Sequence, residues 1–321
     1  MFTLRFDMRS PAFAAPTTEL YRSALQMSEW ADDHGCAMVV LSEHHGSTDG
    51  YLPSPLVMAS AISARTRRVP ISVMVAILPL YDPVRLAEEM CVIDHISEGR
   101  VSYVAGLGYR PEEYEMFGVE FSSRGALAEE GLQMLLAAVS GRPFLRDGHE
   151  VSVTPAPRTA GGPGVAWGGG SIAAARRAGR HGLDLIAQRG VPGMREAYES
   201  AAREAGHEPG TCFLPPPDMP TAVFVSDDPD RAWDELGPHL MHDVRSYALW
   251  NETEQQSASM SRAAGLDELR AESRSHRIVT TAEARAMVER GEVLQLHPLI
   301  GGLPPEVAWR YLRTAVEAAS Q

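Results

Sequence analysis

The chain has 321 residues and a net charge of −13, with 42 acidic against 29 basic side chains. That balance argues against a nucleic-acid or anionic-membrane surface, both of which call for basic patches. No run approaches the roughly 18 apolar residues of a membrane span, and no basic-then-apolar leader opens the chain, so a soluble cytoplasmic protein is expected. Cys36, Cys91 and Cys212 lie far apart, form no metal or redox spacing, and read as reduced core residues. In chain order, Phe2–Asp7 alternates as a first strand. A helix capped by Thr17 or Thr18 runs to about His34, and Gly35 ends it. Met38–Leu41 is a second strand, Pro55–Arg65 a helix and Val69–Leu78 a third strand. Asp82 caps the next helix with Pro83 at its first position. Val101–Ala105 follows as a fourth strand, then a helix from Arg124 to Ser140. A hairpin over Pro143–Thr154 turns at Asp147-Gly148. Val165–Trp167, Asp184–Ala187, Thr221–Val225 and Val293–Leu296 complete eight strands. Helices are expected over Ile172–His181, Val191–Ala205, Ala282–Arg290 and Pro304–Ala318. Strand and helix alternate throughout, which is the pattern of a parallel sheet with crossover helices.

The chemistry gathers where strands end. Leu41 stops in Ser42-Glu43-His44-His45, and the carboxyl ends of parallel strands are where such folds bind ligands. Successive residues point different ways, so one histidine at most faces a ligand directly and the other supports it. An imidazole suits proton transfer or stabilisation of a developing anion. No further ligand residue completes a metal set, so no metal is expected. Gly168-Gly169-Gly170-Ser171 opens a helix, and a glycine-lined helix start with a hydroxyl suits a phosphate, or the glycines only make a tight strand-to-helix turn. Arg124 is a candidate to neutralise that phosphate. Gly106-Leu107-Gly108 leaves room for a flat ligand, or is a plain turn. Glu112-Glu113 reads as a solvated helix start.

Glu43-His44-His45, the run Leu78–Glu88, the segment Ile93–Arg100, Gly108-Tyr109-Arg110-Pro111-Glu112-Glu113 and Pro298–Pro305 together resemble the bacterial luciferase-like monooxygenase family, nearly end to end. The resemblance implies a (β/α)8 TIM barrel as a single domain over 1–321, with insertions at the C-terminal face of the strands. A polar stretch at 243–275, carrying Tyr247, Trp250 and Met260, reads as a lid insertion. The resemblance also implies a homodimer. His44 matches the catalytic histidine, with His45 and Glu43 holding orientation. Met74 and Val75 match the strand that packs on the flavin, where family members often hold a non-proline cis bond. Gly106, Leu107, Gly108 and Tyr109 match the loop beside the ring and ribityl chain. Arg124, Gly169, Gly170 and Ser171 match the phosphate site, and Glu113 falls where some members carry an acid. Trp167, Tyr247 and Trp250 are candidates to line a substrate pocket. Leu107 departs from the arginine frequent in the FMN luciferases.

The function so implied is a monooxygenase acting on a small organic substrate through a C4a-peroxyflavin. It would use O2 and reduced FMN supplied by a separate flavin reductase. One alternative is hydride transfer with the deazaflavin coenzyme F-420. A second is a non-catalytic flavin-binding or partner subunit.

Overall fold

The computed structural model describes residues 1–251 and 260–320. Its strands are β1 (Phe2–Phe6), β2 (Cys36–Leu41), β3 (Ile71–Ile77), β4 (Val101–Gly106), β5 (Phe144–Arg146), β6 (His149–Val151), β7 (Val165–Gly168), β8 (Leu185–Ile186), β9 (Cys212–Phe213), β10 (Ala222–Val225), β11 (His276–Val279) and β12 (Leu294–Leu296). Its helices are α1 (Thr17–Asp33), α2 (Pro55–Arg65), α3 (Pro83–Ser97), α4 (Pro111–Met116), α5 (Arg124–Val139), α6 (Ile172–Arg180), α7 (Met194–Glu204), α8 (Pro229–Trp250), α9 (Leu266–Glu272), α10 (Thr281–Glu289) and α11 (Pro305–Ser320).

The chain divides into two compact units. One comprises Met1–Val40, Ser47–Pro53 and Pro215–Gln321, and the other Leu41–Gly46 and Ser54–Leu214. In the first, β1 pairs in parallel with β12, Phe2 facing Leu294 and Leu4 facing Leu296. β10 pairs in parallel with β11 as a separate two-stranded sheet. In the second, β3, β4, β7, β8 and β9 form a continuous parallel run. The antiparallel β5–β6 hairpin turns at Asp147 and Gly148, both at positive φ, as a tight hairpin requires.

Local chemistry accounts for most element starts. The Asp82 carboxylate accepts from the Val84 and Arg85 amides at 2.9 and 3.1 Å, capping α3 behind Pro83. Thr280 and Glu283 close a reciprocal capping box on α10. β1 buries Phe2, Leu4 and Phe6 and turns Thr3 and Arg5 to the other face, the period of two of a strand.

Several expectations change. α1 begins behind Pro16 with no side-chain cap, so neither Thr17 nor Thr18 caps it. β9 was not foreseen, because Cys212–Phe213 sits in a glycine- and proline-rich stretch that reads as loop. The segment 191–193 stays outside α7, which starts behind Gly193 in the left-handed region. The stretch 243–275 begins within α8, which runs through Trp250. Its buried side chains Leu240, Asp243, Val244 and Tyr247 recur at helical spacing. Met260 is buried, α9 follows, and residues 252–259 lie outside the described residues. Cys36, Cys91 and Cys212 are buried and unbridged. Among the described residues, no helix is long and apolar enough to cross a membrane.

Candidate active site

Past the end of β2, both imidazoles are bound to carboxylates, but to different ones. His44 Nδ1 donates to Glu113 Oε1 at 2.8 Å. The same oxygen accepts the His45 backbone N–H at 2.9 Å and Arg110 NH1 at 3.3 Å. Burial by itself would raise the Glu113 carboxyl; the His44 ring, the His45 amide and Arg110 more than offset this and hold it below the usual carboxylate range. An ionised carboxylate only accepts hydrogen bonds, so Nδ1 of His44 carries a proton and Nε2 faces away from Glu113. The Tyr109 hydroxyl lies 3.3 Å from that Nε2.

Glu43 serves the neighbouring ring. Its Oε1 accepts from His45 Nε2 and from the Tyr81 hydroxyl, both at 2.7 Å, and its Oε2 accepts the Ile77 amide at 3.1 Å. Burial and the Glu43 carboxylate push the Tyr81 hydroxyl far up, so it stays a donor. Glu43 therefore ties His45 to the end of β3 and does not hold His44, contrary to the expected arrangement.

Glu113, expected as a solvated helix start, is 1% exposed, while the side chain of Glu112 beside it is 71% exposed. Adjacent helical residues sit about 100° apart, so one glutamate of a pair can turn inward while the other stays wet. The loop between β4 and α4 is held by the Tyr114 hydroxyl, which donates to the Leu107 carbonyl. Leu107, Gly108 and Tyr109 are half-buried.

Gly106 has a different reason from the one expected. The β3–β4 register skips Val75, and the Met74-Val75 peptide is cis. The Val75 side chain then stands where a Cβ on Gly106 would lie, 2.5 Å from Cγ1, and 3.1 Å (Cγ2) from one on Gly168. Packing of Val75 thus requires glycine at Gly106. Gly108, at φ +68°, needs glycine for its backbone as well as for Ile77 beside it.

The second group lies at the start of α6. Ser171 caps it, its Oγ accepting from the Ala174 amide at 3.2 Å, which leaves the hydroxyl proton to donate elsewhere. Arg189, three residues past β8, donates from Nε to the Gly170 carbonyl at 3.1 Å, and its side chain occupies the space a Cβ on Gly170 would need. The sequence reading missed Arg189, although a cation just past a strand end is the same signal that singled out His44. Gly169 takes φ +148°. Arg124 stacks on the Phe121 ring at 3.8 Å and donates to its carbonyl. Arg177 of α6 reaches the Gly125 carbonyl next to it at 3.0 Å.

Trp167 does not line an open pocket: it is fully buried, with the Arg177 guanidinium 5.0 Å over its ring. Tyr247 and Trp250 belong to α8 in the other unit, where Tyr247 is buried and Trp250 half-buried. Among the described residues, no group of three or more His, Cys, Asp or Glu could hold a metal.

The model of the luciferase-like monooxygenases matches residues 5–318. The chain belongs to that family. Among relatives of this luciferase-like protein, the alkanal monooxygenase alpha chain of Photorhabdus luminescens is 25% identical over 201 residues, 60% of this chain and 56% of the relative. The aligned stretches span 35% to 56% of the length of the first curated relatives. Monooxygenase RslO1 from Streptomyces bottropensis superposes with a TM-score of 0.76 at 22% identity, covering 99% and 98% of the two chains. The FMN complex of the oxygenating constituent of 3,6-diketocamphane monooxygenase from Pseudomonas putida gives 0.71 at 19%, covering 99% and 97%. An F420-dependent secondary alcohol dehydrogenase, in complex with an F420-acetone adduct, gives 0.65 at 16%, covering 95% and 98%. The luciferase-like chain thus has the expected α/β fold.

Proposed function

We propose that this protein is a flavin-dependent monooxygenase that uses reduced FMN and O2 on a small organic substrate, the flavin coming from a separate reductase. The observation that carries the reading is the Glu113–His44 pair, a buried, carboxylate-locked imidazole whose Nε2 is presented at a strand end. The residues present fit the cofactor. Its phosphate would meet the α6 start, the Ser171 hydroxyl and Arg189, with Arg124 nearby; this donor set suits a dianion. Half-buried Met74, Val75 and Leu107 offer apolar contact for the ring. Reduced flavin, when bound, supplies the electrons that activate O2, so that one oxygen atom can enter the substrate.

The chain's own work is proton management. His44 accepts or returns a proton at Nε2, Glu113 fixes its tautomer and stabilises the imidazolium, and Tyr109 donates beside it. Glu43, His45 and Tyr81 keep the β2 loop in register with β3.

A second reading, hydride transfer with coenzyme F-420, is favoured by Leu107, which brings no charge where the FMN luciferases often carry arginine. Anaerobic titration with reduced FMN, and separately with coenzyme F-420, decides between them. Tight binding of reduced FMN supports the oxygenase; binding of coenzyme F-420 alone overturns it. His44→Ala is expected to bind reduced FMN as the wild type does, yet to lose about a hundredfold or more in substrate turnover. Unchanged turnover would remove the assigned role of His44 and favour the non-catalytic binder.

A further inference from the structure

Arg124 opens α5 and is tied to its own stretch of chain. Its Cζ sits 3.8 Å over the Phe121 ring, and NH1 donates to the Phe121 carbonyl at 2.9 Å. Phe121 in turn meets the Tyr114 ring edge-on at 5.1 Å. Burial pushes the Tyr114 hydroxyl up to about 12, and the nearby Arg124 opposes the rise. Among the described residues no carboxylate lies within ion-pair distance of Arg124. Wherever the first turn of α5 goes, this cation goes with it.

Ser171 caps α6, and further along the same helix stands Arg177. Its Nε donates to Glu129 Oε2 at 2.7 Å and its NH2 to the Gly125 carbonyl at 3.0 Å. Gly125 and Glu129 are spaced i, i+4 and share one face of α5. A planar guanidinium that grips both resists sliding of α5 along α6 and turning about its own axis. The fork is itself confined. The Arg177 side chain is 12% exposed, and its guanidinium lies 5.0 Å over the ring of the fully buried Trp167. Gly125 directly follows Arg124, so the clamp acts one residue away from the cation.

Leu107 brings no charge to the expected phosphate site, so few cations serve it. A bond from Arg124 to a phosphate then depends on where α5 begins relative to Ser171. Binding groups keep such placement only when other side chains lock them. We infer that Arg177 is a positioning residue for the cofactor phosphate: its clamp on Gly125 and Glu129 holds Arg124 in place, and so makes the protein select FMN over the same flavin without its phosphate. The inference rests on the reduced-FMN reading. A clasp that only adds stability would favour no one ligand.

The test compares dissociation constants of reduced FMN and reduced riboflavin, measured anaerobically on the full chain. The wild type is expected to bind FMN about tenfold or more tightly than riboflavin. Arg177→Gln should lose most of that preference by weakening FMN alone; equal weakening of both flavins, or an unchanged ratio, overturns the inference. Arg177→Lys keeps the charge but cannot span Gly125 and Glu129, so it should lose the preference too. Retention by Arg177→Lys would make the effect one of charge and overturn positioning. In an Arg124→Gln background, Arg177→Gln should shift the ratio no further, and an additive loss overturns action through Arg124. If circular dichroism shows Arg177→Gln unfolded, Arg177→Lys decides by the same ratio. A wild type that prefers FMN while the Arg177 variants do so equally removes this inference alone. A wild type that binds neither flavin, or both alike, removes the phosphate reading together with it.

Discussion

A single oxygen of Glu113 gathers three donors, from His44, the His45 amide and Arg110. Glu113→Gln would leave a group able to donate as well as accept, so the tautomer of His44 is no longer dictated. Nitrogen chemical shifts of a labelled sample should then show His44 populating both ring tautomers, where the wild type shows the Nδ1–H form alone. Turnover should fall by about a hundredfold. The carboxyl also links stability to pH. Its native pKa lies below its unfolded value, so the unfolded chain binds the proton more readily. The contribution is complete above about pH 4.5 and is lost as pH falls through the lowered native value. Acid denaturation of Glu113→Gln should therefore show a shallower dependence than wild type in that range. Gly106→Ala places a methyl against Val75, and overpacking of this kind costs about 1–3 kcal/mol, readable by urea unfolding.

Between helices, Glu129 of α5 clasps α6. It accepts from Arg177 at 2.7 Å, Arg180 at 2.9 Å and His181 at 2.7 Å. Against the effect of burial, these partners draw its carboxyl down to about 2. The clasp is complete above the ordinary range near 4.5 and dissolves as pH falls towards 2. Glu129→Ala should lower stability at neutral pH by about 1 kcal/mol, with the difference from wild type vanishing near pH 2. Asp82 caps α3 and also pairs with Arg146 of β5 at 2.8 Å. Asp82→Ala is expected to cost about 1 kcal/mol in urea unfolding; no change would mean that water satisfies the freed amides equally well. Elements of this size were legible from local chemistry: Asp82-Pro83 announces α3 and Asp147-Gly148 announces the hairpin. β9 and the last turns of α8 were not, since Cys212–Phe213 is hidden among glycines and prolines and the polar composition near 243–250 hides a buried helical stripe.

For the molecule as a whole, α2 and α3 expose Val57, Val92 and Ile96, at 70%, 43% and 41%. The homodimer that the family resemblance implies would bury exposed apolar side chains such as these. Light scattering should give a dimer mass for the wild type and a monomer for Val57→Glu/Val92→Glu; a monomeric wild type would remove the proposal. The sequence by itself determined the alternation of strands and helices, the Asp82 cap of α3, and the strand ends that carry His44 and Ser171. Those signals act between residues a few positions apart, where backbone geometry leaves few choices. The tertiary structure alone decided which carboxylate holds which imidazole, because Glu113 lies 69 residues from His44 and only packing turns it inward. It likewise decided that Val75 fills the room beside Gly106, that Arg189 covers Gly170, and that Arg9 gathers Asp7, Asp49 and Asp243. Charges far apart in the chain choose partners by burial and distance, and neither quantity exists until the chain has folded.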